Sequence, residues 1–139
     1  MGKVIGLDLG TRTLGIAISD SARMIAYGRE TYRFEHGNYK LAAQYAIDYA
    51  KKEGVEEIAL GLPLHMNGDI GDHAQSSLRF KEQLLELNPS LKVTMVDERM
   101  STMLATSWLL EADVSRKKRK KVVDKMAAVV ILETYLSQK

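Results

Sequence analysis

Cysteine is absent from the 139 residues, and proline occurs only twice. The first absence excludes disulfides, thiolate zinc sites and cysteine nucleophiles, and it suits a reducing compartment such as the cytoplasm. With 45% hydrophobic and 27% charged residues and so little proline, the composition is that of a folded chain rather than a disordered one. No apolar run approaches a membrane span, and the first residues lack a basic stretch followed by a long apolar one. Neither a membrane anchor nor a secretory signal is therefore expected. An excess of one charge is missing too: the formal net charge is +2, so overall basicity says little about a nucleic-acid partner. These exclusions leave a soluble, cytoplasmic protein with a length suited to one domain over residues 1–139.

What is present begins with Asp8, inside the apolar run Val4-Ile5-Gly6-Leu7-Asp8-Leu9-Gly10. Such a run reads as a buried strand, where a carboxylate costs several kcal/mol unless something compensates it. No Lys or Arg lies within the run, so a bound cation or a reacting phosphate is the charge to look for. Two further strand-like runs follow after short turns, Leu14 to Ser19 and Met24 to Phe34, and short connections favour antiparallel pairing. A helix is expected from Tyr39 to Glu53, with Asn38 as N-cap, Leu41, Tyr45 and Tyr49 on one face, and Gly54 as the stop.

The pattern then alternates. Glu57 to Leu62 reads as a strand and Leu64 to Gly71 as a loop. A helix capped by Asp72 runs to Leu87, and Leu91 to Val96 reads as a strand. Ser101 or Thr102 caps a helix with Leu104, Ala105, Trp108, Leu109 and Ala112 at helical spacing. A cationic loop from Arg116 to Lys121 leads into a last helix from Val122 to Leu136. A three-stranded meander followed by alternating helices and strands predicts an α/β domain with a mixed sheet.

Asp97 and Glu98 stand where the Leu91–Val96 strand ends, at the carboxyl edge where ligands gather in open α/β sheets. Adjacent strand residues point to opposite faces, so only one of the two can share a face with Asp8, while the other caps or pairs locally. Asp124 lies on the helical stripe of Ala128, Ile131 and Tyr135. It reads either as a site acid or as a first-turn acid favourable to the helix dipole. Converging carboxylates repel unless a cation neutralises them. An all-oxygen set suits Mg²⁺ or Mn²⁺, and two such ions can promote phosphodiester hydrolysis.

Four segments together resemble one family. They are Gly6-Leu7-Asp8-Leu9-Gly10 with Gly15-Ile16-Ala17-Ile18-Ser19-Asp20; Gly61-Leu62-Pro63 with Asn67-Gly68 and Gly71; Asp97-Glu98-Arg99-Met100-Ser101-Thr102; and Asp124-Lys125-Met126-Ala127-Ala128 with Ile131-Leu132. In this order they resemble the YqgF family, described both as Holliday junction resolvases and as nucleases of precursor small-subunit ribosomal RNA. The resemblance covers almost the whole chain. It implies a ribonuclease H-like fold, a five-stranded mixed sheet with its first three strands antiparallel and helices flanking it. It also implies a divalent-metal site of Asp8, Glu98 and Asp124, holding two Mg²⁺ or Mn²⁺ ions. The activity implied is endonucleolytic, in 5′-end maturation of pre-16S ribosomal RNA or, alternatively, on branched DNA. Ribosomal precursor particles would be partners in the first case. A monomer suffices to trim RNA, whereas symmetric junction resolution needs a homodimer.

The run Arg116-Lys117-Lys118-Arg119-Lys120-Lys121 reads as a phosphate-tracking surface near Asp124, or else as a solvated loop. Arg12, in the first turn, and Arg99, beside Glu98, are candidate phosphate clamps or surface ion-pair partners. The Leu64–Gly71 loop before a helix could meet a phosphate with backbone amides or be an ordinary connection. His65 and His73 are assigned no catalysis, and Trp108 is read as core. Gly6-Leu7-Asp8-Leu9-Gly10-Thr11 also resembles the first phosphate motif of actin-like ATPases and sugar kinases, but those enzymes need two related domains and a second Gly-rich signature. A non-catalytic RNA-binding assembly factor on the same fold is the remaining alternative, opposed by the intact set of acids.

Overall fold

The computed structural model describes residues 2–63, 71–97 and 116–138, with side chains described in all of these except 116–125. Five strands and three helices are described: β1 (Ile5–Leu9), β2 (Thr13–Ser19), β3 (Ala26–Arg33), α1 (Tyr39–Glu53), β4 (Glu57–Leu62), α2 (Asp72–Leu87), β5 (Lys92–Asp97) and α3 (Arg116–Ser137). The sheet order is β3-β2-β1-β4-β5. The pairs β1–β2 and β2–β3 are antiparallel, and β1–β4 and β4–β5 are parallel. This is the expected mixed sheet. Short turns join the antiparallel strands, and crossovers containing α1 and α2 permit the parallel ones.

Each face of the sheet has its own core. On one side Ile5, Leu7, Leu9, Leu14, Ile16, Ile18, Ile58, Leu60 and Val93 pack against Ala42, Ala43, Ala46 and Ile47 of α1 and Phe80 and Leu84 of α2. On the other, Val4, Ala17, Ala59 and Val96 meet Ala128, Ile131, Leu132 and Tyr135 of α3. Within β1, β2, β4 and β5 alternation decides the face of each residue, whereas β3 is shifted by an irregularity opposite Ile16 and Ala17, so its faces follow from its partners on β2.

Several boundaries and roles differ from expectation. The run Arg116–Lys121 is not a loop: α3 begins at Arg116, so the six cations occupy its opening turns. Lys and Arg are good helix formers, and their preference outweighs the modest i,i+4 repulsion of like charges. In α1 the buried stripe is Ala42, Ala43, Ala46, Ile47 and Ala50, whereas Leu41 is 48% exposed. Small alanines let the helix approach the sheet, and Tyr45 and Tyr49 flank it, half-buried. Asn38 occupies the N-cap position but makes no side-chain cap bond. Gly71, not Asp72, is the N-cap of α2, which leaves Asp72 as the acid of the first turn. Strand β3 starts only at Ala26, because Asp20 Oδ1 accepts the amides of Met24 and Ile25 at 2.8 and 3.0 Å and closes them into a turn. The expected helix after Ser101, Trp108, His65 and the loop 64–70 lie outside the described residues.

Candidate active site

Asp8 is half-buried in β1, between the fully buried Leu7 and the buried Leu9. Parity puts it on the α3 side of the sheet with Val4 and Gly6, while Ile5, Leu7 and Leu9 belong to the opposite core. Its partner across the β1–β2 ladder is Gly15. On the β4 side the parallel register ends at Leu7 opposite Leu60, so the next position on that strand is Gly61. The carboxylate thus has a glycine on either side in the sheet, so no Cβ stands beside it on the neighbouring strands. Asp8 also sits at the carboxyl edge of the parallel strands, the edge where ligands bind in open α/β sheets.

Helix α3 crosses this face closely. A Cβ built on Gly6 would lie 2.7 Å from Leu132 Cβ and 2.8 Å from the Ala128 carbonyl oxygen. The row across the sheet at this level is Gly28, Ala17, Gly6 and Ala59, whose small side chains let the helix in. Further along, the Tyr135 hydroxyl donates to Glu57 Oε2 at the start of β4. The C-terminal part of α3 therefore lies over the amino edge of the parallel strands. The helix runs antiparallel to β1, and its earlier residues lead towards the carboxyl edge.

Asp124 is the ninth residue of α3, in its third turn. The alternative of a first-turn acid stabilised by the helix dipole therefore falls away, since that effect fades within the first turn. Ala128, Ile131 and Tyr135, its companions on the stripe, are all buried. Asp97 is exposed and shares parity with Val93 and Met95, which pack on the α1–α2 core, whereas Val96 faces α3. Glu98 and Arg99 lie outside the described residues, as do the side chains of Asp124 and of Arg116, Lys117, Lys118, Arg119, Lys120 and Lys121. Among the described residues no three Asp, Glu or His side chains gather into a metal-sized group.

Arg12 is exposed in the β1–β2 turn, which Gly10 closes by donating its amide to the Thr13 carbonyl at 2.7 Å. Its own carbonyl accepts the Phe34 amide at 2.9 Å, tying the turn to the end of β3. His73, expected to be a bystander, is exposed, yet its Nε2 lies 3.0 Å from the Leu9 carbonyl oxygen and so holds the start of α2 to the end of β1. Sequence reasoning missed Arg33. It pairs with Thr13, is exposed, and shares the face of Thr31, the residue opposite Gly15. Only the register across three strands brings it to Asp8's side of the sheet; no local signal marked it.

A mixed sheet in the order β3-β2-β1-β4-β5, with its first three strands antiparallel and helices on both faces, is a ribonuclease H-like fold. Two solved structures share the fold. The chain is similar to RuvC of T. thermophilus in complex with a Holliday junction substrate, with a TM-score of 0.62, 12% identity and coverage of 99% of this chain and 96% of that one. It is likewise similar to a Thermus thermophilus RuvC structure, with a TM-score of 0.57 and 10% identity over 97% and 96% of the two chains. The family model described as "RuvX: Holliday junction resolvase" matches residues 2–138, and the chain belongs to that family. Proteins from Staphylococcus aureus strains JH9 and Mu50 are each 52% identical over 134 residues, covering 96% of this chain and 94% of theirs. Both carry the name "Putative pre-16S rRNA nuclease". By this family membership the protein is assigned to the nuclease class of enzymes. No described helix is long and apolar enough to cross a membrane.

Proposed function

We propose that the protein is a divalent-metal-dependent endonuclease that hydrolyses structured nucleic acid, with Asp8, Glu98 and Asp124 as its metal-holding residues. The observation that carries this reading is the register of α3 on β1. Ala128 and Leu132 lie against Gly6, and Asp8 is two residues nearer the carboxyl edge, or about 6.6 Å along the strand. Asp124 is one turn before Ala128, a rise of about 6 Å in the same direction. Both acids therefore lie on the carboxyl-edge side of the Gly6 contact, which supports a shared site. Strand parity supports Glu98 over Asp97 as the third member, since continuing β5 by one residue returns to the face of Val96.

Two Mg²⁺ or Mn²⁺ ions fit this donor set, which is all oxygen and contains neither cysteine nor histidine. Bound there, such ions acidify water and draw charge from phosphate oxygens. The protein's own groups do the rest. Asp8, on a strand buried on both sides, is a rigidly held donor. Arg12 and Arg99 offer guanidinium groups to neighbouring phosphates, and the cationic opening turns of α3 attract the backbone irrespective of sequence.

The name carried by the 52% identical relatives favours precursor ribosomal RNA as the substrate, in 5′-end maturation on precursor particles in the cytoplasm. The test is a cleavage assay on pre-16S RNA and on a four-way DNA junction, with Asp8→Asn as control. Cleavage of the RNA that needs Mg²⁺ or Mn²⁺, and that Asp8→Asn reduces to background, is the expected result. Preference for the junction would transfer the assignment to DNA. Cleavage by Asp8→Asn at the wild-type rate would remove the acids from the mechanism.

A further inference from the structure

The chain has six tyrosines, two phenylalanines and one tryptophan. Five of these nine, Tyr32, Phe34, Tyr39, Tyr45 and Tyr49, are half-buried together where the end of β3 meets α1. The inner part is structural. Tyr32 and Tyr45 stack with ring centroids 4.0 Å apart, and the Tyr45 hydroxyl donates to Glu30. Phe34 continues that stack, with its ring centroid 6.1 Å from that of Tyr32, and meets Tyr39 edge to face at 6.0 Å at the end of the ladder, where the chain leaves the sheet and both rings stay partly open to solvent.

That end adjoins the candidate active site. The Phe34 amide donates to the Arg12 carbonyl and the Gly37 amide to the Thr11 carbonyl, so the outer aromatics are fastened to the turn after β1. Three exposed cations are close to them along the chain or the ladder: Arg33 precedes Phe34, Lys40 follows Tyr39, and Arg12 is bonded through its carbonyl to the Phe34 amide. Arg33 is on Asp8's face: two strands across and two residues along, or about 12 Å from Asp8 by sheet geometry. No hydrogen bond or ion pair of the Arg33 side chain to another described residue is present. A cation on the catalytic face followed by rings around the sheet edge is the combination that holds an unpaired strand, with phosphates on the cations and bases on the rings.

We propose that this edge is a binding track for a single-stranded segment flanking the scissile phosphate, with Arg33, Arg12 and Lys40 meeting phosphates and Phe34 and Tyr39 stacking bases. The inference rests on the nuclease reading and deepens it: the preferred substrate carries an unpaired flank beside the cut, and a duplex running through the site is not enough.

The test measures the affinity of a labelled oligouridine and of an RNA duplex of equal length in chelator, so that no cleavage occurs. Phe34→Ala with Tyr39→Ala should weaken oligouridine binding about tenfold or more, as loss of stacking worth about 1–3 kcal/mol per base requires. Duplex affinity should hold within about twofold, and Tyr39→Phe should bind oligouridine like wild type. Arg33→Gln, at an exposed position that leaves folding intact, should reduce the slope of log affinity against log salt by about 0.7 for the single strand. Unchanged oligouridine affinity in the folded alanine variant, equal losses on both probes, or an unchanged slope for Arg33→Gln would overturn the track. If the double alanine variant does not fold, the Arg33→Gln slope alone decides. Metal-dependent cleavage abolished by Asp8→Asn, together with any of those overturning results, would leave the nuclease reading standing and remove only this inference.

Discussion

Gly6 and Leu132 touch so closely that no larger residue fits between strand and helix: a Cβ on Gly6 would stand 2.7 Å from Leu132 Cβ. The second near atom, the Ala128 carbonyl oxygen, is backbone and cannot turn aside. Gly6→Ala must therefore lift α3 from the sheet. Overpacking of this kind costs about 1–3 kcal/mol, read as a lowered urea midpoint with an unchanged slope. Because α3 also carries Asp124, metal-dependent cleavage should fall even at temperatures where the variant is fully folded. Wild-type stability in Gly6→Ala would contradict the close crossing.

Gly54 provides a contrast of mechanism. It ends α1 at φ +68°, and a Cβ added there would meet nothing within 4 Å, so space is free and only the backbone conformation is restrictive. Gly54→Ala should cost about 1 kcal/mol, a fall of roughly 3 °C in Tm, with cleavage at lower temperature unaffected. A loss of activity exceeding the loss of folded protein would mean that α1 does more than pack.

Acid sensitivity is predicted at the edge of the sheet opposite Asp8. Burial raises the Glu57 pKa, but hydrogen bonds from Tyr135 and Arg23, with the charges of Arg23 and Lys92, outweigh it and hold it below the ordinary glutamate value. Arg23 reaches Glu57 Oε1 at 3.0 Å and Oε2 at 3.3 Å. A depressed folded pKa contributes stability that is fully present above the unfolded value and is lost as pH falls through the folded one. Glu57→Gln should therefore lower stability near neutrality and flatten the acid limb of the stability–pH curve. Denaturation midpoints across that range check it; parallel curves for the two proteins would refute it.

Parity predicts a sharp difference between two adjacent acids. Glu98→Gln should reduce cleavage to near background, whereas Asp97→Asn, on the α1–α2 side, should retain activity within about tenfold, the low end of the loss expected for a residue outside the metal's own ligands. Measured Mg²⁺ dependence of both variants distinguishes them. Equal losses would mean that β5 twists at its end and that strand alternation does not extend to Glu98.

Much of the architecture was legible because its signals are local. The near-continuous burial of β1 and β2, the Gly54 stop and the strand from Glu57 to Leu62 each follow from a few neighbouring residues. The start of α3 was not legible. Six successive cations look like a solvated loop, and only the helix that contains them shows that backbone propensity outweighed their repulsion. The packed face of α1 was misleading for a related reason: tyrosines and leucine look more like core than alanine does, yet a helix lying close to a sheet needs the smaller residues.

Residue order alone determined that an isolated carboxylate would occupy a buried strand, that cysteine chemistry was excluded, and that strands would precede a strand–helix alternation. These depend on composition and short periodicities, which the chain carries wherever it goes. Tertiary structure alone decided that Asp97 and Val96 lie on opposite sides of the sheet, that Arg33 shares a face with Asp8, and that α3 runs antiparallel to β1 with Ala128 and Leu132 against Gly6. Those relations join residues tens of positions apart, and they exist only once hydrogen-bond ladders and the close contact at Gly6 set one element against another.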